Sequence, residues 1–362
     1  MNILQVITSL RIGGAEKLVV DMALILKAKG HIVDIFVFDG VQTPFLQQLE
    51  ENGIRVIRYN EGGSPYHPKN IFILRRLISQ YDVVHTHNTA CQYYVAIAKL
   101  LCKLCKSKKL VTTEHSANNR RRNILTFKQL DRWMYRQYDS IIAISDKATM
   151  NLQKFLGNRL EIKTIYNGIN LSRFMNADVL SGDGVLKKKL NTFVITMVAG
   201  FREEKDQDTL IKSLKYLPEN CVLWLVGDGV RRTICEDLVQ RLGLSDRVVF
   251  AGIRTDIPNI LKASDVIVMS SHWEGLSLSS IEGMSVGKPF VASDVDGLHE
   301  IVFGNGLLFP HQNEKALADI ILELMTKPDY AQKIAEKCFE KASQYDISKT
   351  VDAYLEVYKS LI

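Results

Sequence analysis

No run of apolar residues in this chain approaches the ~18 that a helix needs to cross a bilayer, which excludes a helical membrane span. The opening residues, Met1-Asn2-Ile3-Leu4, pass straight into a strand pattern without the basic and apolar regions of a secretory leader, so a cytoplasmic protein is expected. Cysteine is scarce: six in 362 residues, at positions 91, 102, 105, 221, 235 and 338. They are too few and too scattered for a disulfide framework. Cys102 and Cys105 form one C-x-x-C in the helical-looking segment KLLCKLCK. With no second pair or nearby histidine, that segment does not read as a zinc site. A G-x-G-x-x-G dinucleotide fingerprint is missing, and no nucleic-acid-binding module is recognisable, so nucleic acid is not an expected partner.

What is present suits two packed domains. At 362 residues the chain is long for one core, and 46% hydrophobic content is enough to bury two. Strand-like segments at 3–7, 33–38, 55–59, 83–87, 110–113, 140–144 and 163–165 alternate with helix-like ones, and the pattern restarts at 193–199, 222–226, 248–250, 266–269 and 290–292. Such alternation implies an α/β fold of doubly wound parallel sheets. Residues 171–191, with Asn176, Ser181-Gly182-Asp183-Gly184 and Lys187-Lys188-Lys189, show little apolar periodicity and read as a flexible connection between domains 1–170 and 171–345. Charge divides unevenly: 24 Lys and Arg stand against 13 Asp and Glu in residues 1–170, although the whole chain is only +6. The excess lies in Lys99 to Lys109 and in Arg120-Arg121-Arg122. A solvated face accounts for it as well as an anionic membrane or a phosphorylated acceptor does.

The chemistry-bearing residues sit where strand patterns give way to helix patterns, the places where unpaired N–H groups and helix dipoles face outward. In Ser270 to Gly287, SSHWEGLSLSSIEGMSVG, two glutamates, Glu274 and Glu282, have seven residues between them. Carboxylates suit vicinal hydroxyls, and the intervening N–H groups suit phosphate. Ser279 and Glu282 also spell S-x-x-E, so a helix-capping box is an open alternative for Glu282. Arg202 and Lys205, at a helix entrance in GFREEKD, are suited to a diphosphate that gains charge as its bond to a sugar breaks. The paired Gly13 and Gly14 would let backbone approach a ligand closely, although a simple turn reads equally well. His115 follows a strand in TTEHS. His85 and His87 close the fourth strand and are expected on opposite faces of the sheet.

Taken in order, GGAEK, TEH, YNGI, FREEKD, LVGDG, the Glu274-x7-Glu282 pair and Gly297-Leu298-His299-Glu300 resemble glycosyltransferase family 4 over nearly the whole chain. The resemblance implies a GT-B fold, two facing Rossmann-like domains with the active site in the inter-domain cleft. It implies an acceptor-side domain in 1–170, a nucleotide-sugar domain in 171–345, and a last helix at about 346–362 that packs back on the first. It further implies a retaining transferase in which Gly13 and Gly14 approach the donor and His115 lies beside the sugar. Lys205 would bind the diphosphate, and Glu274 would hold sugar hydroxyls while Gly275, Leu276 and Ser277 turn N–H groups to phosphate. Glu282 would take the ribose, with Gly227, Ile253 and Arg254 around the nucleoside. The chain departs from the family where Gly200 replaces a common arginine, and Arg202 is the candidate to supply that charge.

The activity expected is transfer of a sugar from a nucleotide donor, UDP before GDP, to a saccharide or lipid-linked saccharide in surface polysaccharide synthesis. No cofactor or metal is expected: Asp206-Gln207-Asp208 and Asp294-Val295-Asp296 each spell D-x-D, but a lone D-x-D arises readily by chance. Peripheral contact with an anionic inner membrane face, through Lys99–Lys109 and Arg120–Arg122, would fit a lipid-linked acceptor. A nucleotide-sugar epimerase and a non-catalytic sugar-nucleotide binder are the alternatives.

Overall fold

Strand and helix alternate into two separate parallel sheets in a computed structural model of the chain. All residues are described except 12, 60–63, 65, 116–124, 158–159, 181–185, 187 and 275–276. One unit comprises Met1–Gly168 and Ile347–Ile362, the other Ile169–Asp346. The first unit holds β1 (Asn2–Ile7), β2 (Ile32–Val37), β3 (Arg55–Arg58), β4 (Val83–His87), β5 (Lys109–Glu114), β6 (Ser140–Ala143) and β7 (Ile162–Thr164), in the order β3-β2-β1-β4-β5-β6-β7. The second holds β8 (Phe193–Val198), β9 (Cys221–Val226), β10 (Val248–Gly252), β11 (Val266–Met269), β12 (Phe290–Ser293) and β13 (Leu307–Phe309), in the order β10-β9-β8-β11-β12-β13. Sequence periodicity misses only β13. Three apolar residues are too short a run to read as a strand, and pairing with β12, Val291 opposite Leu307, is what makes it one.

Both faces of the first sheet are covered, as parallel strands require. On β1, Ile3 and Ile7 enter a core shared with the helix Gly14–Ala28 and the terminal helix Ile347–Leu361, whereas Leu4 and Val6 enter one shared with the helix Thr89–Leu100. The terminal helix belongs to the first unit because Val351, Tyr354, Leu355 and Tyr358 bury one apolar stripe in that first core. Strand alternation carries polar residues there too: Gln5 shares the face of Ile3, His85 and His87 that of Val83, and Thr113 that of Val111.

Three expectations are corrected. His85 and His87 lie on the same face, because residues two apart in a strand always do; their ring centroids are 4.2 Å apart. Part of the supposed flexible connection is packed: the helix Leu171–Met175 buries Leu171 and Phe174 in the core of the second unit, its apolar pair being too brief to show periodicity. KLLCKLCK is not one helix either. The helix ends at Leu100, and a short 3-10 turn, Lys103–Cys105, brings Cys105 back to a local disulfide with Cys102. Among the described residues no helix is long and apolar enough to cross a membrane.

Candidate active site

In the second sheet the strand order reverses between β8 and β11, and parallel sheets offer ligands a crevice beyond their carboxyl ends at such a reversal. The loops leaving those two strands carry Lys205 and Glu274. Lys205 Nζ lies 2.6 Å from Glu274 Oε1, and Ser271 Oγ donates to the same oxygen at 2.7 Å. Only 9% of the Glu274 side chain is exposed, so the ammonium offsets a carboxylate that is nearly out of water. Further bonds stitch the two loops: Ser270 Oγ donates to the Asp206 carbonyl at 2.8 Å, and the His272 N–H to the Glu204 carbonyl at 2.8 Å. The Glu274 N–H in turn donates to the Asp296 carbonyl at 3.1 Å, which brings in the loop after β12.

The helix Leu278–Met284 starts at Ser277, whose Oγ accepts from the Ser280 N–H at 3.3 Å. Ser277 is therefore the cap, and the capping-box alternative for Ser279 and Glu282 fails; Glu282 lies buried in the second turn. Gly275 and Leu276 lie outside the described residues, as do Arg120–Arg122. On the other side of β8, Gly227 has φ +138°, and a Cβ there would fall 2.1 Å from the Ala199 carbonyl oxygen. Only glycine lets the ends of β8 and β9 close up in this way. Beside it, Ile253 is exposed and Arg254 grips Asp256 through two bonds of 2.8 and 2.7 Å.

Arg202 is 70% exposed, with Nη1 3.9 Å from Glu204. A Cβ built on Gly200 would lie 3.8 Å from Arg202 Nε, so the guanidinium arm runs past the space a side chain at 200 would enter. Neither D-x-D converges as a pair. Arg231 Nη2 reaches both oxygens of Asp208 at 3.0 and 2.9 Å, while Asp206 caps the helix Gln207–Ser213 through Thr209. Asp294 takes His299 Nδ1 at 2.6 Å, while Asp296 lends its carbonyl to Glu274.

The first sheet reverses between β1 and β4. Gly13 caps the helix Gly14–Ala28, and the Glu16 carboxylate folds back over it, so close that a Cβ on Gly13 would meet Oε2 at 2.2 Å. The helix end that the sequence offered to a donor thus holds an acid of its own, with its pKa raised by burial. Beyond β5, His115 joins a network that sequence reasoning missed. His115 Nε2 is 3.0 Å from His87 Nδ1, His87 Nε2 is 2.7 Å from Gln5 Oε1, and Gln5 Nε2 donates to the Tyr358 hydroxyl at 3.3 Å. Tyr358 meets His85 Nδ1 at 2.5 Å, His85 Nε2 meets Thr113 Oγ1 at 2.8 Å, and Thr113 meets the Tyr354 hydroxyl at 3.2 Å.

This network reads in one direction. The Gln5 oxygen can only accept, so His87 Nε2 carries the hydrogen. Burial holds His87 well below its ordinary pKa and His115 down at about 4, so both rings are neutral at pH 7. A neutral His87 then offers Nδ1 as an acceptor, His115 Nε2 must donate to it, and His115 Nδ1 is left as a lone pair. That atom is enclosed and has no partner among the described residues. The signal available in the sequence was the i, i+2 spacing of two histidines on a strand, with a glutamine on the facing strand.

Known proteins agree with the resemblance. A family model described as Glycosyltransferase Family 4 matches residues 12–173, and one described as Glycosyl transferases group 1 matches residues 183–341. The chain is 27% identical over 361 residues to the UDP-Gal:alpha-D-GlcNAc-diphosphoundecaprenol alpha-1,3-galactosyltransferase of Escherichia coli, covering 94% of this chain and 89% of that one. It is 26% identical over 316 residues to the putative glycosyltransferase EpsD of Bacillus subtilis (strain 168), covering 82% of each. Among solved structures, Anabaena HepE in complex with UDP-glucose matches with a TM-score of 0.81 at 25% identity, covering 99% of this chain and all of that one. Two family models that between them reach into both units, and two parallel sheets of the GT-B class, lead to one conclusion: the chain belongs to glycosyltransferase family 4.

Proposed function

We propose that this glycosyltransferase moves a sugar, with retention at its anomeric carbon, from a UDP-sugar to a saccharide or lipid-linked saccharide in surface polysaccharide synthesis. The observation that carries the reading is the Lys205–Glu274 contact of 2.6 Å at the β8/β11 reversal. It brings a cation for the departing diphosphate and an acceptor for sugar hydroxyls to one point. Both polar contacts described for the Glu274 carboxylate fall on Oε1, which leaves Oε2 as the oxygen to face a ligand. Arg202 adds a second positive charge, and Gly275, Leu276 and Ser277 supply N–H groups, so the phosphate is neutralised without a metal. Glu282 takes the ribose, Gly227, Ile253 and Arg254 border the base, and Gly13 and Gly14 approach the donor. His115 lies beside the sugar. Support for UDP comes from the names of the Escherichia coli relative and the Anabaena complex.

A peripheral membrane position is part of the proposal. Leu100, Leu101 and Leu104 are exposed, Leu104 by 80%, among exposed Lys103 and Lys106. Apolar side chains that enter the interface while lysines meet anionic headgroups would hold the enzyme near a lipid-linked acceptor. Flotation with anionic vesicles tests this: Leu104→Asp should release the protein, and equal flotation of both proteins would remove the idea.

The donor assignment is tested by melting temperature with UDP-, GDP- and ADP-sugars, since a ligand that binds only the folded state raises it. A UDP-sugar should raise it and the others should not, and transfer to acceptor should release UDP. A shift with GDP- or ADP-sugar alone would overturn the base, and UDP-sugar binding without release in the presence of acceptor would overturn the transfer.

A further inference from the structure

Asp206-Gln207-Asp208 fails as a metal motif because Arg231 holds Asp208, yet Asp206 itself clusters with two histidines from distant loops. We propose that Asp206, His272 and His311 form a zinc site that ties the loops after β8, β11 and β13 and thereby firms the Lys205–Glu274 pair. Each residue presents one ligand atom, and the three atoms lie within 4.8 Å of one another. His272 Nδ1 is 2.7 Å from His311 Nε2 and 3.6 Å from Asp206 Oδ2.

Two imidazole nitrogens facing at this distance need a hydrogen between them, and an ion can take that place. Tetrahedral zinc with bonds of ~2.0–2.1 Å sets its ligands about 3.3 Å apart, so the two nitrogens must part by about half an ångström. His311 is exposed and can yield. Asp206 is the fixed member. It is buried, and its two oxygens accept from the Thr209 N–H at 3.2 Å and the Thr209 hydroxyl at 2.6 Å, the outer support that orients a ligating carboxylate. Two imidazoles and one carboxylate favour zinc over magnesium or calcium, which prefer all-oxygen ligands.

The surroundings also favour a cation. Asp206 and His272 open onto a pocket of about 380 Å³ whose wall includes Glu203, Glu314, Lys212 and the mutually neutralising Asp208 and Arg231. Acid is in excess there, and a water from this pocket would complete the coordination. Asp206 follows Lys205 directly and His272 precedes Glu274 by two residues, so an ion between them fixes the backbone under both members of the pair. That consequence rests on the donor site proposed above, whereas the metal site does not.

The test uses the full chain, stripped with chelator, and calorimetric titration with zinc chloride and, separately, magnesium chloride. One equivalent of zinc should bind and magnesium should not. His311→Ala and Asp206→Asn, which keeps the helix cap, should each weaken zinc at least tenfold, while Lys212→Ala should not. Cobalt(II) should give the intense visible absorption of tetrahedral N/O coordination in the parent and not in His311→Ala. UDP affinity should rise severalfold with zinc in the parent only. No saturable zinc binding, or unchanged binding in His311→Ala, would overturn the site. Zinc binding with no UDP binding under either condition would leave the site standing and sink the donor reading; the opposite pattern would do the reverse.

Discussion

The two units hold their polar groups by opposite means. In the first, His85, His87, Gln5, Thr113, Tyr354 and Tyr358 are all buried and neutral, linked donor to acceptor in one line. In the second, charge is retained and paired closer to water: Lys205 with Glu274, Arg231 with Asp208, Arg254 with Asp256. A buried ion is far costlier than a buried neutral group with all its hydrogen bonds made. The first arrangement can therefore decide where a proton sits, and the second can keep a cation ready for a phosphate.

The sharpest way to break the contrast is to neutralise one member of a pair. Lys205→Met should cut the rate of transfer by about 10²–10³, the scale seen when one stabiliser of developing negative charge is lost. It should also destabilise the second unit, because Glu274 is left nearly buried without its cation. Adding Glu274→Gln should recover stability and not activity. Initial rates and urea midpoints separate the two effects; recovery of both would mean that the pair is only structural.

Acid should unsettle the first unit before the second. His85, His87 and His115 have folded-state pKa values pushed below the ordinary 6.5, mainly by burial, with His115 at about 4. Their neutral forms are favoured by the fold, so the stability they contribute is complete above pH 6.5. As pH falls below that value the unfolded chain takes up protons the folded one refuses. Each histidine then subtracts about 1.4 kcal/mol per pH unit until its folded value is reached. Hydrogen exchange at β4 and β5 amides between pH 7 and 5 reads this directly, and His115→Gln should lower the slope by one proton. Acid-insensitive exchange would show that the three rings are not held neutral.

Much of this was visible beforehand, and the gaps have physical reasons. Twelve strands could be read because parallel strands buried on both faces are apolar runs between turn signals; β13 could not, because three residues carry no period. Lys205 and Glu274 could be named because each sits where a strand pattern passes into a helix pattern. Their contact could not, because it depends on β8 and β11 being neighbours across the reversal in strand order. The histidine line was hidden for a different reason: Tyr358 in the terminal helix follows apolar spacing, and nothing local shows that its hydroxyl faces Gln5 across the core.

A smaller change probes that line itself. Tyr358→Phe keeps the ring and removes the hydroxyl that faces His85 Nδ1 and receives the Gln5 amide. Two buried groups lose a partner, so stability should fall by about 1–3 kcal/mol. With Gln5 no longer anchored, its amide can turn and present N–H to His87, which reverses the hydrogen along His87 and His115. Long-range nitrogen NMR of labelled histidine should then show a second tautomer at His115. A stability loss with the single tautomer intact would limit Tyr358 to packing.

The smallest effect is expected at Arg202, and it tests whether charge in the second unit can move where hydrogen bonds in the first cannot. Arg202→Ala removes an exposed side chain, so stability should change by no more than about 0.5 kcal/mol. Donor affinity should drop about tenfold, roughly 1.4 kcal/mol, as one of two cations facing the diphosphate is lost. Gly200→Arg in that background should restore it, because the nearest atom to a Cβ at 200, other than Arg202 itself, is the Asp228 carbonyl at 3.5 Å, ordinary contact with room for a side chain. Restoration would mean that the guanidinium matters and its anchoring residue does not, since a long side chain can reach one phosphate from either position. If the single variant binds donor as the parent does, Arg202 takes no part, and Lys205 with the backbone N–H groups carries the phosphate alone.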